Sequence, residues 1–323
     1  MESDAKFIDD RLESYVEAMY EASKILVDQS PDFILAPMNG SVPFIDAMTI
    51  VNQDFDTSKV VYMPASSSVE NVLDVITDWY SNFLDENVKQ HYEIPKVIGI
   101  DEVVSGNSVV RCMRSIDRAT NRKRKKEIQL LVDRIRSDDF DVSVEAVNDI
   151  DQMYDNEHVA ELSRIRGNLR NGFYKNPGVQ AKSDLKFCID LAKRHLSDGL
   201  TYRTIGIEDS KKTEEGRHKE YRQVKDEGRV IPVGVNSIIS MDLPDFCPPR
   251  FQRLPESSTR NNHVAFSPFV EDFRVTPRYI EFLEGLATVV GQNPQTVNPV
   301  NMGQILDSKR YLGEKYTSQY PGN

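Results

Sequence analysis

Cysteine is scarce in this chain: Cys112, Cys188 and Cys247 are the only three among 323 residues, far apart and without a C-x-x-C spacing. That excludes a disulfide framework and a thiolate metal centre, and it points to a reducing compartment. The five histidines, His91, His158, His195, His218 and His263, show neither His-x-His nor His-x-x-x-His spacing, which sets a zinc site aside. No serine stands in a Gly-x-Ser-x-Gly elbow, and no glycine-rich dinucleotide turn follows the first strand. Nowhere does an uncharged apolar run approach the roughly 18 residues that cross a bilayer, so no membrane partner is expected. The acidic start, Met1 to Asp10, lacks the basic and apolar segments of a secretory signal, and the expected location is cytoplasmic.

Positive charge is also in short supply. Forty Lys and Arg against 51 Asp and Glu leave a net charge of −11, which argues against coating a duplex by charge alone. What is present suffices for folding: 39% hydrophobic and 9% aromatic residues support a core and argue against wholesale disorder. A chain this long is expected to form about two domains.

The apolar spacing of Leu12, Tyr15, Val16, Met19, Ala22 and Leu26 predicts a helix that ends before Pro31. Phe33 to Ala36 reads as a strand buried on both faces, and Pro43 opens a helix through Phe44, Ile45, Met48 and Val51. A second strand, Lys59 to Met63, precedes a capping box, Ser67-x-x-Glu70, and a helix whose apolar face carries Trp79. Val97 to Ile100 is a third strand, a helix runs from Ser108 to about Arg136, and alternation predicts a fourth strand over Phe140 to Val147. Residues 1–150 therefore read as an α/β unit, an open, mainly parallel twisted sheet flanked by helices.

Residues 151–323 read as an additional α+β C-terminal region that serves as a hood, a substrate domain or a partner-binding domain. Helices are expected through Val159 to Leu169, after a cap at Asp184 and ending at Gly199, and from Pro277 onward. Val230 to Val235 and Ile238 to Met241 read as strand material, and 292–323 as an extended or packed tail. The charged stretch Asp209 to Arg229 reads as a solvated helix or a mobile loop.

The strongest chemical signal is Val97 to Val110, a buried strand delivering Asp101 and Glu102 and then the small-residue turn Ser105-Gly106-Asn107-Ser108 that opens a helix. In a parallel sheet the carboxyl end of a strand lies in the ligand crevice, and backbone N–H groups at a helix start close around a phosphate. Two acids beside such a cup suit sugar hydroxyls, or Mg²⁺ held through water.

This stretch resembles the phosphoribosyl-pyrophosphate loop of type I phosphoribosyltransferases, where an apolar strand leads to an acidic pair and a Thr/Ser/Gly-rich turn. A second segment, Pro31 to Ser41, is similar to that family's first strand and pyrophosphate loop, here Met38-Asn39-Gly40-Ser41. The resemblance covers residues 1–150. It implies that Asp101 and Glu102 are the catalytic pair on the vicinal ribose hydroxyls, and that Ser105, Gly106, Asn107 and Ser108 cradle the terminal phosphate. It also implies Mg²⁺ as cofactor, held near Asp101 and Glu102 through the ligand, and a pyrophosphate leaving group.

Two functions follow as expectations. One is transfer or release of a ribosyl group from phosphoribosyl pyrophosphate or a related nucleotide. The other is a non-catalytic nucleotide sensor or effector subunit docked on a protein or nucleic-acid partner, either alone or as a homo-oligomer. Its motivation is the basic segment Arg111 to Arg136, with ten Lys or Arg and three acids; the competing reading of that segment is a solvated helix face, since no aromatics interleave with the charges.

Overall fold

The computed structural model describes residues 2–38, 40–65, 69, 71–88, 94–137, 139–154, 157–170, 179–195, 202–236, 250–253, 266–272, 277–297, 304 and 307–313. The capping box Ser67-x-x-Glu70, the strand expected over Ile238 to Met241 and the helix end expected at Gly199 lie outside these residues. The chain forms two compact units. One takes residues 1–82, 96–117 and 201–323, and the other takes 83–95 and 118–200.

The first unit is built on a five-stranded sheet. Helix α1 (Glu2–Gln29) leads into β1 (Phe33–Pro37), α2 (Val42–Val51), β2 (Val60–Met63), α3 (Val72–Asn87), β3 (Val97–Val103) and α4 (Asn107–Ile135). The chain returns in β4 (Arg203–Asp209), α8 (Lys219–Asp226) and β5 (Val230–Val235), then forms a two-stranded antiparallel ribbon, β6 (Arg250–Arg253) with β7 (Phe266–Asp272), and α9 (Pro277–Val289). The sheet order is β2-β1-β3-β4-β5, and every pairing is parallel.

Short apolar runs specify these strands because both faces are covered. Leu35, Ala36, Tyr62, Met63, Ile100, Ile205 and Ile207 are fully buried. Helices α1, α2 and α9 pack together, and the right-handed sense of parallel crossovers puts α3 and the start of α4 on the opposite face. There the Ser115 hydroxyl donates to the Leu73 carbonyl at 3.1 Å. Trp79 is buried, as its helical spacing predicts, and its indole N–H donates to the Ser308 carbonyl at 2.8 Å, which ties part of the tail to α3.

The second unit is helical. The last turns of α4 pack with α5 (Phe140–Met153), α6 (Val159–Arg170) and α7 (Val179–His195) around Leu131, Ala146, Val147, Ile150, Leu162, Cys188 and Leu191. A bidentate pair from Arg164 to the buried Asp184 joins α6 to α7.

Three expectations are corrected. Phe140 to Val147 is the first half of α5 and not a strand; Val144, Val147 and Ile150 fall on one buried face at helical spacing, and the Asp139 carboxylate caps the helix by accepting from the N–H groups of Asp141 and Val142 at 3.0 and 3.4 Å. Asp184 lies inside α7, not at its cap. The stretch 209–229 carries the helix α8 and is exposed or half-buried except at Arg217, just before the helix, and Tyr221 on it. Finally, the division expected near residue 150 falls within the helical unit; β4 pairs onto β3 and β5 onto β4, so chain beyond residue 200 belongs with the N-terminal strands.

Among the described residues no helix is long and apolar enough to cross a membrane. Replacing the capping carboxylate, Asp139→Ala, is expected to lower stability by about 1 kcal/mol in thermal or urea unfolding; an unchanged midpoint would show that α5 is held by packing alone.

Candidate functional site

The order β2-β1-β3 reverses the direction of travel between β1 and β3, so the crevice beyond their carboxyl ends is the topological switch point of the sheet. The two loops singled out in the sequence leave the sheet there, Met38 to Ser41 from β1 and Val104 to Gly106 from β3. They touch: a Cβ built on Gly40 would sit 3.3 Å from Asp101 Oδ1, so glycine lets the first loop approach the acid. Ser41 clamps the approach from below. It stands at the N-cap of α2, yet its buried hydroxyl donates to the Ile100 carbonyl at 2.7 Å, and its N–H donates to the Pro37 carbonyl at 3.1 Å. Met38 is buried and its N–H donates to the Met63 carbonyl. These two residues therefore hold the loop and have no donor left for a ligand. Asn39 lies outside the described residues.

Asp101 is 5% exposed. Its Oδ1 accepts from the Glu102 N–H at 2.9 Å, whereas Oδ2 has no hydrogen-bond partner among the described residues. Burial pushes the carboxyl up to about 6, against the opposing pull of the Ser108 hydroxyl, the Glu102 N–H and the Arg111 guanidinium. Nearby Cys112 is buried as well, and desolvation raises its thiol far above the usual value, so it is protonated and not a nucleophile.

The acidic pair does not act as a pair. Strand β3 continues through Val103, and successive strand residues point to opposite faces. Asp101 lies on the side of Ser108, Arg111 and Tyr202. Glu102, half-buried, lies on the other side, where its charge acts on the Tyr15 phenol of α1.

The turn behind Asp101 has the expected backbone. Gly106 has φ of +82°, a conformation that favours glycine, and α4 begins at Asn107. Ser105 Oγ accepts from the Asn107 N–H at 3.4 Å, and the Ser105 carbonyl accepts from the His218 N–H at 2.9 Å. Asn107 is exposed and Ser108 half-buried. Gly106 lies against the ring of Tyr221, 2.2 Å from where its Cβ would be.

Gly40, Asp101, Ser108 and Gly106 thus come together at one sheet edge, while Glu102 turns away. Arg111, Glu208, Arg217 and Tyr221, all close to this edge, were not singled out in the sequence. One local signal pointed to Glu208: Ile205-Gly206-Ile207-Glu208-Asp209 repeats the apolar-then-acidic pattern of Ile98-Gly99-Ile100-Asp101-Glu102.

Among the described residues no group of three or more His, Cys, Asp or Glu side chains could hold a metal ion. The diverging acids do not fit an Mg²⁺ held directly by both.

Because the folded protein holds the Asp101 proton more tightly than the unfolded chain does, this group favours folding fully below about pH 4, and the contribution is lost as pH rises through about 6. A rise from 3.8 to about 6 corresponds to roughly 3 kcal/mol at neutral pH. Asp101→Asn is therefore expected to be more stable than the wild type at pH 8 by up to about 3 kcal/mol in urea unfolding, with the gain shrinking toward pH 4. No gain at pH 8 would refute burial as the dominant influence on this carboxyl.

Compared with known proteins, the chain matches no family model, no curated protein and no solved structure, so its functional reading rests on the geometry of this crevice.

Proposed function

We propose that the protein binds a phosphorylated pentose, phosphoribosyl pyrophosphate or a related nucleotide, in the crevice between the ends of β1 and β3, and that it transfers or releases the ribosyl group as a type I phosphoribosyltransferase-like protein. The observation that carries this reading is the contact of Gly40 with Asp101, a buried carboxylate with one oxygen unpartnered among the described residues, at the switch point of a parallel sheet.

Asp101, ionised above about pH 6, would accept hydrogen bonds from ribose hydroxyls. The backbone of the turn at Gly106 and the start of α4 would hold the terminal phosphate, where N–H groups and the helix dipole favour negative charge. Leaving-group charge needs stabilisation in the transition state, which an Mg²⁺ on the pyrophosphate would supply. The protein's own part is to fix the sugar against β3 and exclude water from its reacting face.

A second reading, a non-catalytic nucleotide sensor or effector subunit, is favoured by the divergence of Asp101 and Glu102. With one acid facing the crevice, ribose binding has support that ribosyl transfer lacks. Titration calorimetry with phosphoribosyl pyrophosphate and Mg²⁺ decides the binding step. Binding is expected to strengthen from pH 5 to pH 7.5 as Asp101 ionises, and to weaken about tenfold or more in Asp101→Asn. Absence of heat at millimolar ligand would end the proposal, and binding without pyrophosphate release in the presence of nucleobases would leave the sensor reading.

A further inference from the structure

Tyr221, on α8, is remote in sequence from both loops and is fully buried. Its ring lies against the Cα of Gly106, with ring and Cβ atoms 2.2 to 2.5 Å from where a side chain on that glycine would begin. Its hydroxyl donates to Glu208 Oε1 at 2.5 Å and passes 3.0 Å from the Cβ position of Gly206, the register partner of Asp101. Tyr221 therefore spans β4 on the Asp101 side, from the turn of the proposed phosphate cup to a second buried acid.

That acid is anchored. Lys225 Nζ donates to both oxygens of Glu208 at 2.9 Å, and Arg217 Nη1 lies 2.9 Å from Oε2. Arg217 in turn pairs with Glu214 and donates to the Asp209 carbonyl at 3.3 Å. Two further ties join the start of α8 to the cup and to the helix it opens: the His218 N–H donates to the Ser105 carbonyl, and Arg114 on α4 pairs with Glu220 at 2.6 Å.

We infer that Tyr221 is the positioning residue of the phosphate cup: its ring is the seat that fixes the Gly106 turn, and Glu208, Arg217 and Lys225 fix the ring. The inference deepens the proposed function and rests on it for the identity of the ligand. The physical reason is directional. A glycine at positive φ with no side chain can relax into other conformations, and a flat, immobilised ring against its Cα leaves one arrangement in which the Ser105 to Ser108 backbone faces the crevice.

The test uses the full chain and two readouts, calorimetric binding of phosphoribosyl pyrophosphate with Mg²⁺ and amide hydrogen exchange of residues 104–108 without ligand. Tyr221→Phe keeps the ring against Gly106 but cuts its hydrogen bond to Glu208, and it is expected to weaken binding and speed exchange at 104–108 by no more than about threefold each. Tyr221→Leu removes the flat face and is expected to weaken binding and speed exchange at 104–108, each by about tenfold. Should the leucine variant fail to fold, Tyr221→Met replaces it. Val233→Ala, a buried position on β5, controls for general loss of stability. Exchange at 104–108 no faster in Tyr221→Leu than in Val233→Ala, compared at equal stability, would overturn the inference. Failure of the wild type to bind would overturn the ligand reading instead, while the exchange arm would still decide whether Tyr221 sets the turn.

Discussion

Burying the carboxyl group of Asp101 at the end of β3 opposes folding at neutral pH, and its surroundings offer it little in return. The Glu102 N–H, the Ser108 hydroxyl and the Arg111 guanidinium offset only part of that cost, and Oδ2 has no hydrogen-bond partner among the described residues. Burial of an incompletely satisfied charge is costly, and the carboxyl responds by holding its proton up to about pH 6. The neighbouring structure packs closely around this one group. Gly40 leaves space above it, Ser41 fixes the loop that carries Gly40 to the backbone of β3, and Gly106 turns the chain into α4 directly behind it.

The opposite face of the sheet handles charge in a different way. Asp46 of α2 is buried among three phenols, accepting from the Tyr279 hydroxyl and acting on Tyr15 and Tyr62, and burial raises all three phenols above their usual range. Glu102 adds its charge to this group through Tyr15. Strand β3 thus sends one acid to each face, and the two acids enter separate environments: a carboxyl-phenol cluster between α1, α2 and α9, and an open sheet edge with α4. Any chemistry that needs both carboxylates on one sugar is opposed by the alternation of the strand itself.

The parts of the fold legible in the sequence are those whose signal is local and unambiguous. β1, β2 and β3 are short continuous apolar runs bounded by proline or by polar turns, and α1 and α4 repeat their apolar positions over many turns. Phe140 to Val147 misleads because its apolar residues satisfy a period of two over eight positions; only the continuation through Ile150 and Met153, with the cap at Asp139, identifies the helix. β4 has the same length and the same apolar-glycine-apolar centre as β3, and it is masked by the polar sequence on either side of it. The pairing of Tyr221 with Gly106 has no local trace, since more than a hundred residues separate them. The basic segment also reads differently once its partners are known: Arg114 pairs with Glu220, Lys123 with Asp85 and Glu127, and Arg134 with Asp149. A count of cations along a helix overstates the charge offered to a polyanion when its neighbours hold several of them.

Two buried carboxylates on adjacent strands and on one face of the sheet, Asp101 and Glu208, differ in what surrounds them. Glu208 receives a phenol hydroxyl, an ammonium and a guanidinium, so its charge is balanced within the fold and its role is to hold other groups still. Asp101 receives the Glu102 N–H on Oδ1 and feels the Ser108 hydroxyl and the Arg111 guanidinium, while Oδ2 is buried without a hydrogen-bond partner among the described residues. Satisfied buried acids stabilise; under-satisfied ones at a sheet's carboxyl edge cost stability that a ligand can restore. Tyr221 links the two regions: its neutral ring lies against Gly106 and its hydroxyl reaches Glu208, so the charges of the Glu208 network stay away from the turn.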